Sequence, residues 1–368
     1  MPALLICLAM GLAVLFSAVQ AGATSSPPPK TADEILAMIA GTQVRELSGT
    51  LEQNAELGLP EVPAAGPGLA PGAVSALEFL TGTHTARIYV QGPSKARLQI
   101  LDRMAERDLV LNGRDAWFYN SADNSATHLS APASSTTGPS ESRPSPTPRP
   151  DLPTPAVMAT CFLAAIDSST QVSVADSSTV AGRSAYRLIL NPRSSGTLVD
   201  SVAIDVDSET GLPLGVQVRA KGQSEPAYSL AYTQLELKAP DASLFEFAPP
   251  AGATITEKAI PAAPAPTKQL PAPSAQATHP QHGVSVMGEG WDAVLSLPRG
   301  TAPAGLTANP QLSQVLQSVP GGHALTTSVL SVLILDDGRV YAGMVPVDRL
   351  QSAALQAAVP LQPTAPAQ

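Results

Sequence analysis

Apolar and polar residues alternate with period two from Thr83 to Leu129 (HTARIYV, KARLQIL, DLVLNG, AWFYN, SATHL). That is the spacing of half-buried strands. Gly92-Pro93, Asn112-Gly113 and Ala122-Asp123-Asn124 separate the runs, so this stretch predicts an antiparallel meander. A second set follows: QVSVA, AYRLILNP, SVAIDVD, PLGVQVRA, AYSLAYTQLEL and ATITE, with Glu209-Thr210-Gly211 as a tight turn. Before both sets, Leu47 to Leu57 reads as a strand. Helical signals are few. Thr31-Ala32-Asp33-Glu34 is a capping box opening a helix to about Ala40, with Gly41 placed to stop it. Ala73 to Leu80 and Pro155 to Ile166 also read as helices, the latter with proline in its first turn. About eleven short antiparallel strands and three helices are expected over residues 31–257.

Within these strands one face is aliphatic and the other polar. The apolar positions are Ile88 and Val90, Leu98 and Ile100, Leu188 and Leu190, Ile204 and Val206, and Val216 and Val218. Arg87, Tyr89, Arg97, Gln99, Arg187, Asp205 and Gln217 take the opposite face. One large twisted sheet would carry an apolar concave face and a polar convex one. Three helices are little cover for so many strands. The concave face is then either an apolar cavity or a filled core. Trp117, Phe118 and Tyr119 concentrate the scarce aromatics, as core plugs or as pocket wall. The fold class expected is α+β: a half-open, unclosed β-barrel with a few covering helices and a small C-terminal α+β module.

Composition divides the chain. Residues 1–23 hold an apolar run, Ala3 to Val19, followed by Ala21-Gly22-Ala23, a pattern signal peptidase cuts. No Lys or Arg precedes the run, and its length suits either a cleaved signal peptide or a retained membrane anchor. Residues 24–30 are a stiff leader. Residues 131–153 are Pro/Ser/Thr-rich and read as a disordered insertion in the domain 31–257. Residues 258–282 are a Pro/Ala-rich linker. Residues 283–357 form the small module: the segment Val284 to Leu297, a helix near Asn309 to Val319, a hairpin across 325–345 and a helix from about Val347 to Ala357. Trp291 is expected to anchor that module's core, and residues 358–368 to be a disordered tail.

The net charge is −9, and only 14% of residues are charged. Phosphate neutralisation and polybasic membrane binding therefore find little support, so nucleic acid is not an expected partner. Two cysteines make neither a disulfide framework nor a zinc cage. Cys7 lies within the apolar N-terminal run and follows Leu5-Ile6 without the small residue a lipobox needs. Cys161, on an apolar helix, reads as a lone buried thiol. The motifs G-x-S-x-G, HExxH, CxxC and GxxxxGK[ST] are absent from the sequence. His279 and His282 lie in the linker as HPQH, a poor metal site; His84 and His128 lie in the meander and could be neighbours. His323 is the fifth histidine. Asp336-Asp337-Gly338 reads as a hairpin turn rather than a calcium loop. Asp205 and Asp207 alternate on one strand and share one side, expected to face solvent. No catalytic, metal or cofactor residue is expected, and no cofactor is implied.

The phrases GRSAYRLILNPR (182–193), SVAIDVDSETGLPLGVQVRA (201–220) and DASLFEFAPPAGATITE (241–257) resemble the LolA/LppX/RseB superfamily of extracytoplasmic lipid and lipoprotein carriers. LSGTLEQNAELGLP (47–60), residues 95–129 and LDDGRVYAGMV (335–345) are similar to its actinobacterial secreted LolA-like branch. The resemblance covers roughly 31–257. It implies an unclosed antiparallel barrel with a helical lid and an acyl-chain pocket, outside the cytoplasm. The function expected is non-catalytic binding of lipid or a lipoprotein acyl chain. The alternative is a regulatory, RseB-like protein touching an anti-sigma factor or another envelope membrane protein. Ile88, Val90, Leu98, Ile100, Trp117, Leu188, Leu190, Ile204, Val206, Val216 and Val218 are the expected pocket residues.

Overall fold

A computed structural model of the chain describes residues 27–59, 81–101, 105–130, 152–259, 284–300 and 315–358. The expected signal or anchor, the helix over 73–80, and nearly all of the Pro/Ser-rich insertion, the second linker and the C-terminal tail lie outside these residues.

Helix α1, Ala32–Ala40, starts where the capping box places it. The Thr31 hydroxyl accepts the Glu34 amide N–H, and the Glu34 carboxylate accepts the Thr31 amide at 2.7 Å. Twelve strands form the large sheet: β1 (Glu46–Ala55), β2 (Gly82–Gln91), β3 (Lys95–Leu101), β4 (Glu106–Asn112), β5 (Asp115–Asn120), β6 (Ser125–Ser130), β7 (Thr170–Val180), β8 (Arg183–Pro192), β9 (Val199–Asp207), β10 (Pro213–Ala220), β11 (Pro226–Glu236) and β12 (Thr254–Ala259). Helix α2, Pro155–Ala164, lies between β6 and β7.

The order in the sheet is β12-β6-β5-β4-β3-β2-β1-β11-β10-β9-β8-β7, so the sheet is open, with edges at β12 and β7. Two sequential meanders meet where β1 pairs with β11. The last strand departs from the expectation. β12 runs parallel to β6 because the chain crosses the convex face through the buried Phe245 before it pairs.

Register places the aliphatic residues as the alternation requires. Leu188, Ile204 and Val216 pair in one row, and Ile88 pairs with Leu98 in another. The two rows belong to one face, linked through Val216↔Leu230, Leu230↔Gln53, and Gly49↔Ile88 on the same side of β1. Helix α1 packs on β7 and β8, and α2 on β10 and β11. Their side chains Ile35, Ala159 and Phe162 meet Leu190, Ile204 and Val218 in one core.

The C-terminal module is a six-stranded antiparallel sheet in the order β13-β14-β18-β17-β16-β15. These strands are β13 (Ser285–Met287), β14 (Val294–Leu297), β15 (Leu316–Val319), β16 (Gly322–Thr326), β17 (Ser331–Leu335) and β18 (Val340–Gly343), followed by helix α3, Val347–Ala358. The helix expected up to Val319 is replaced at its described end by β15. Leu316–Val319 pairs with β16 across Pro320-Gly321, and Gly321 takes φ +81°, which favours glycine. Asp336-Asp337-Gly338 is the expected turn, closed by the Leu335 N–H on the Arg339 carbonyl.

Two further expectations are corrected. Cys161 is exposed. Helix α2 is apolar around most of its circumference, so periodicity does not tell its buried side, which carries Pro155 and Ala159. Trp291 does not anchor the module's own core, which Leu333, Tyr341 and Leu350 build. It is buried in the core of the large sheet.

Candidate functional site

The concave face changes character across the sheet. At the β7–β11 end Leu188, Leu190, Ile204, Val206, Val216 and Val218 are buried under α1, α2 and Trp291. Here the apolar face is a filled core. At the other wing, Ile88, Leu98, Leu109 and Phe118 stand in one register row across β2, β3, β4 and β5. Ile88 is fully buried, Leu98 nearly so, Leu109 half-buried and Phe118 42% exposed. Val90 and Ile100, on the same face, are half-buried. The row thus runs from dry core to open surface over roughly 14 Å, three strand spacings.

Trp117 is not part of this face. Its register partners are Val110 and, beyond it, Arg97 and Tyr89, all on the convex side. There it stacks on His128 at 4.2 Å and meets Phe247 at 5.4 Å. Neighbouring residues of a strand point to opposite faces, so Trp117 and Phe118 cannot wall one pocket. His128 is held between Glu257 (2.8 Å) and Asp115 (3.2 Å), which ties β12 to β5 and β6. His84, on β2, lies four strands away from β6, with its ring against the Thr81 carbonyl, so the two histidines are not neighbours.

The convex face is polar but not simply solvated. Asp205 and Asp207 are 2% and 1% exposed, which corrects the expectation that they face solvent. Arg187 grips Asp205 through Nε (2.8 Å) and Nη2 (3.0 Å), and Ser178 adds a third donor. Arg183 grips Asp207 in the same way and also reaches Glu209. Hydrogen bonding to these carboxylates holds both guanidiniums above the usual arginine range. Arg97 pairs with Asp108, yet burial dominates and raises the Asp108 carboxyl above its ordinary value. These pairs are matched donors and acceptors, the pattern of structural ion pairs. Among the described residues no group of three His, Cys, Asp or Glu could hold a metal ion.

Two surface clefts flank the start of the large domain. One of about 420 Å³ is lined by Pro28, Arg183, Tyr186 and Glu209, and one of about 650 Å³ by Val44, Arg45, Thr210 and Leu237. None of the expected pocket residues lines either. Sequence reasoning missed Leu109 as a member of the concave row and chose Trp117 as the pocket aromatic where Phe118 stands. DLVLN and AWFYN alternate visibly, but only register shows which alternate residue continues the row from Ile88.

No protein-family model matches this chain, and no curated protein matches it. Solved structures do. The Pseudomonas aeruginosa MucA/MucB complex aligns over 88% of this chain and 96% of that one, at 16% identity and a TM-score of 0.43. A LolA superfamily protein from Nitrosomonas europaea covers 60% of this chain and 99% of its own, at 11% identity and a TM-score of 0.22. An outer membrane lipoprotein-sorting protein domain from Vibrio parahaemolyticus covers 56% and 91%, at 9% identity and a TM-score of 0.22. These neighbours are of the LolA/RseB-like kind that the sequence phrases resemble. The actinobacterial branch rests on those phrases alone. With TM-scores below 0.5, the neighbours assign no ligand or partner to this chain.

Proposed function

We propose that this chain is an extracytoplasmic, non-catalytic binder of an acyl chain of a lipid or lipoprotein, received on the concave face of the large sheet. The row Ile88, Leu98, Leu109, Phe118 carries this reading, because it joins an exposed aromatic to a dry aliphatic interior without a polar break. Such an apolar surface gains most by covering itself with another apolar group, and an acyl chain matches its shape without hydrogen-bonding demands. The apolar run at Ala3 to Val19 supports a place outside the cytoplasm. The test replaces Phe118, whose exposure lets the fold tolerate a charge. Full-length chain carrying Phe118→Asp should keep its circular dichroism and lose about tenfold or more in affinity for cis-parinaric acid, since Asp takes about 1.5–3 kcal/mol of apolar burial from the complex. Equal affinity of the folded variant and the parent, or no binding by the parent, rejects the reading.

One observation favours the regulatory alternative. Val286, Leu295, Ala342, Val332, Leu325 and Leu316 form an unbroken register row across all six strands of the C-terminal sheet, on the face away from α3. Val286 and Leu295 are exposed at its β13–β14 end. An apolar row of this kind suits contact with another envelope protein. A complex purified from the envelope with the parent chain, and lost with Val286→Asp/Leu295→Asp while parinaric acid binding persists, supports this reading. A complex unaffected by the pair of substitutions removes it.

A further inference from the structure

The C-terminal module closes its own core without help from the large sheet. Helix α3 covers one face of the six strands, and Leu333, Tyr341, Leu350 and Ala354 pack together there. Yet the module sends three apolar side chains out of that core and into the concave side of the large sheet. Trp291 is 6% exposed among Leu190, Val202, Ile204 and α2, and Val329 and Met344 pack beside this core. Trp291 stacks on Phe162 of α2, with ring centroids 6.1 Å apart. Its indole N–H, the one polar group it brings, donates to the Thr170 hydroxyl at 2.9 Å. A bulky aromatic from a separate module thus occupies the aliphatic face to which the sequence assigns the acyl chain.

The junction joins the two sheets through a few direct bonds and one imperfectly matched carboxylate. Backbone and side-chain bonds join it at Leu198 and Thr197 to the Met344 carbonyl, and at Ser328 to the Leu57 carbonyl. The Asp292 carboxylate, next to Trp291, bonds the Ser194 hydroxyl through Oδ2, but Oδ1 is buried with no hydrogen-bond partner among the described residues. A half-satisfied carboxylate is a cost of docking that water recovers on release. A core closed for stability alone would gain from an apolar residue at that position.

We infer that the C-terminal module is a stopper in cis. Trp291 holds the β7–β9 end of the concave face against an acyl chain, and a long chain enters only as the module lets go. This rests on the acyl-binding reading above and adds its regulation. Docking and deep acyl binding are then negatively coupled, each weakening the other by the same factor.

A reversible lock tests this in the full-length chain. A Cβ built on Gly290 lies 3.3 Å from the Ser169 side-chain carbon, slightly under disulfide spacing, and 2.9 Å from the Asp167 carboxylate, at a φ of +54°, so the cross-link needs a small shift of this turn. Ser169→Cys/Gly290→Cys, with Cys7 and Cys161 replaced by serine, would pin Trp291 in place when oxidised. The reduced form should bind cis-parinaric acid, and oxidation should weaken binding at least tenfold, with dithiothreitol restoring it. Equal affinity in both redox states overturns the stopper and leaves acyl binding standing. No binding by the parent chain or by either redox state overturns acyl binding, and the stopper with it. A second measurement does not need the disulfide. Trp117→Phe leaves Trp291 as the sole tryptophan. Saturating oleate should shift its emission to the red as the indole meets water, and an unchanged spectrum with oleate bound overturns the stopper.

Discussion

Thr170, the first residue of β7, accepts a hydrogen bond from the indole of Trp291, a residue 121 positions further along the chain. The bond satisfies the only polar atom of a buried side chain, and it does so across the junction of the two sheets. Thr170→Val keeps the shape and removes the acceptor. It should cost about 1–3 kcal/mol through the unsatisfied indole N–H. Urea unfolding of the parent and the variant checks this; no loss would mean that water reaches the indole.

The Asp205–Arg187 pair gives a second prediction. Asp205→Ala strips Arg187 and Ser178 of their shared acceptor. Arg187 keeps about a third of its side chain in water, so the cost should be about 2 kcal/mol rather than that of a fully buried pair. Asp205→Leu/Arg187→Met should come back close to parental stability. Chemical denaturation of both variants separates the cost of a broken pair from the worth of an intact one.

Gly211 closes the turn between β9 and β10 at φ +74°, and a Cβ there would sit 2.2 Å from the Met38 carbonyl oxygen of α1. Backbone strain and a backbone clash therefore coincide. Gly113 has a similar φ of +66° with nothing within 4 Å. Gly113→Ala should cost about 1–2 kcal/mol from strain alone. Gly211→Ala should lose clearly more, because α1 must move off β8. Comparing the two melting temperatures decides the point, and equal shifts would mean that α1 yields freely.

At the other end of α1, the amide and hydroxyl of Thr31 hold the Glu34 carboxyl below its ordinary value of 4.5. A carboxylate with a lowered folded value contributes stability that is present above pH 4.5 and lost as pH falls through the folded value. Carbon-detected titration of Glu34 should report a value below 4.5. Thr31→Ala should return it towards 4.5 and fray the first turn. An unchanged value would show that the capping box does not persist in solution.

Burial gives a prediction at the alkaline end. The Tyr228 phenol is pushed up to about 12, and that of Tyr232 higher still, both by desolvation. A raised phenol contributes stability that is full below about pH 10 and is lost as pH rises through the folded value. Absorbance at about 295 nm should therefore leave these two tyrosines un-ionised at pH 11. Tyr228→Phe/Tyr232→Phe should remove only the late, high-pH part of the titration. Loss of early ionisation instead would mean that the inner end of β11 is wet.

The strands were legible because their chemistry is local. Alternation separates Ile204 from Asp205 without knowledge of their neighbours, and the capping box at Thr31 is written in four residues. What alternation omits is which strands adjoin. Trp117 and Phe118 are equivalent on paper; pairing through Val110 and Leu109 sends one to the convex face and the other to the concave row. The acidic pair was misplaced for a related reason. A carboxylate on the polar face of a strand is solvated unless an adjacent strand brings a cation, and Arg187 and Arg183 do so only once β8 lies beside β9.

The sequence by itself determined most elements of the large sheet and its two faces, because each follows from periodicity and turn chemistry within a few residues. Tertiary structure alone decided where the apolar face is filled and where it is open. That depends on Trp291, Phe162 and Ile35 meeting Leu190 and Ile204 from far along the chain, while Phe118 is left 42% exposed on the other wing. Burial is a property of neighbours, and the neighbours of a strand residue are set by long-range register, which no short stretch of sequence contains.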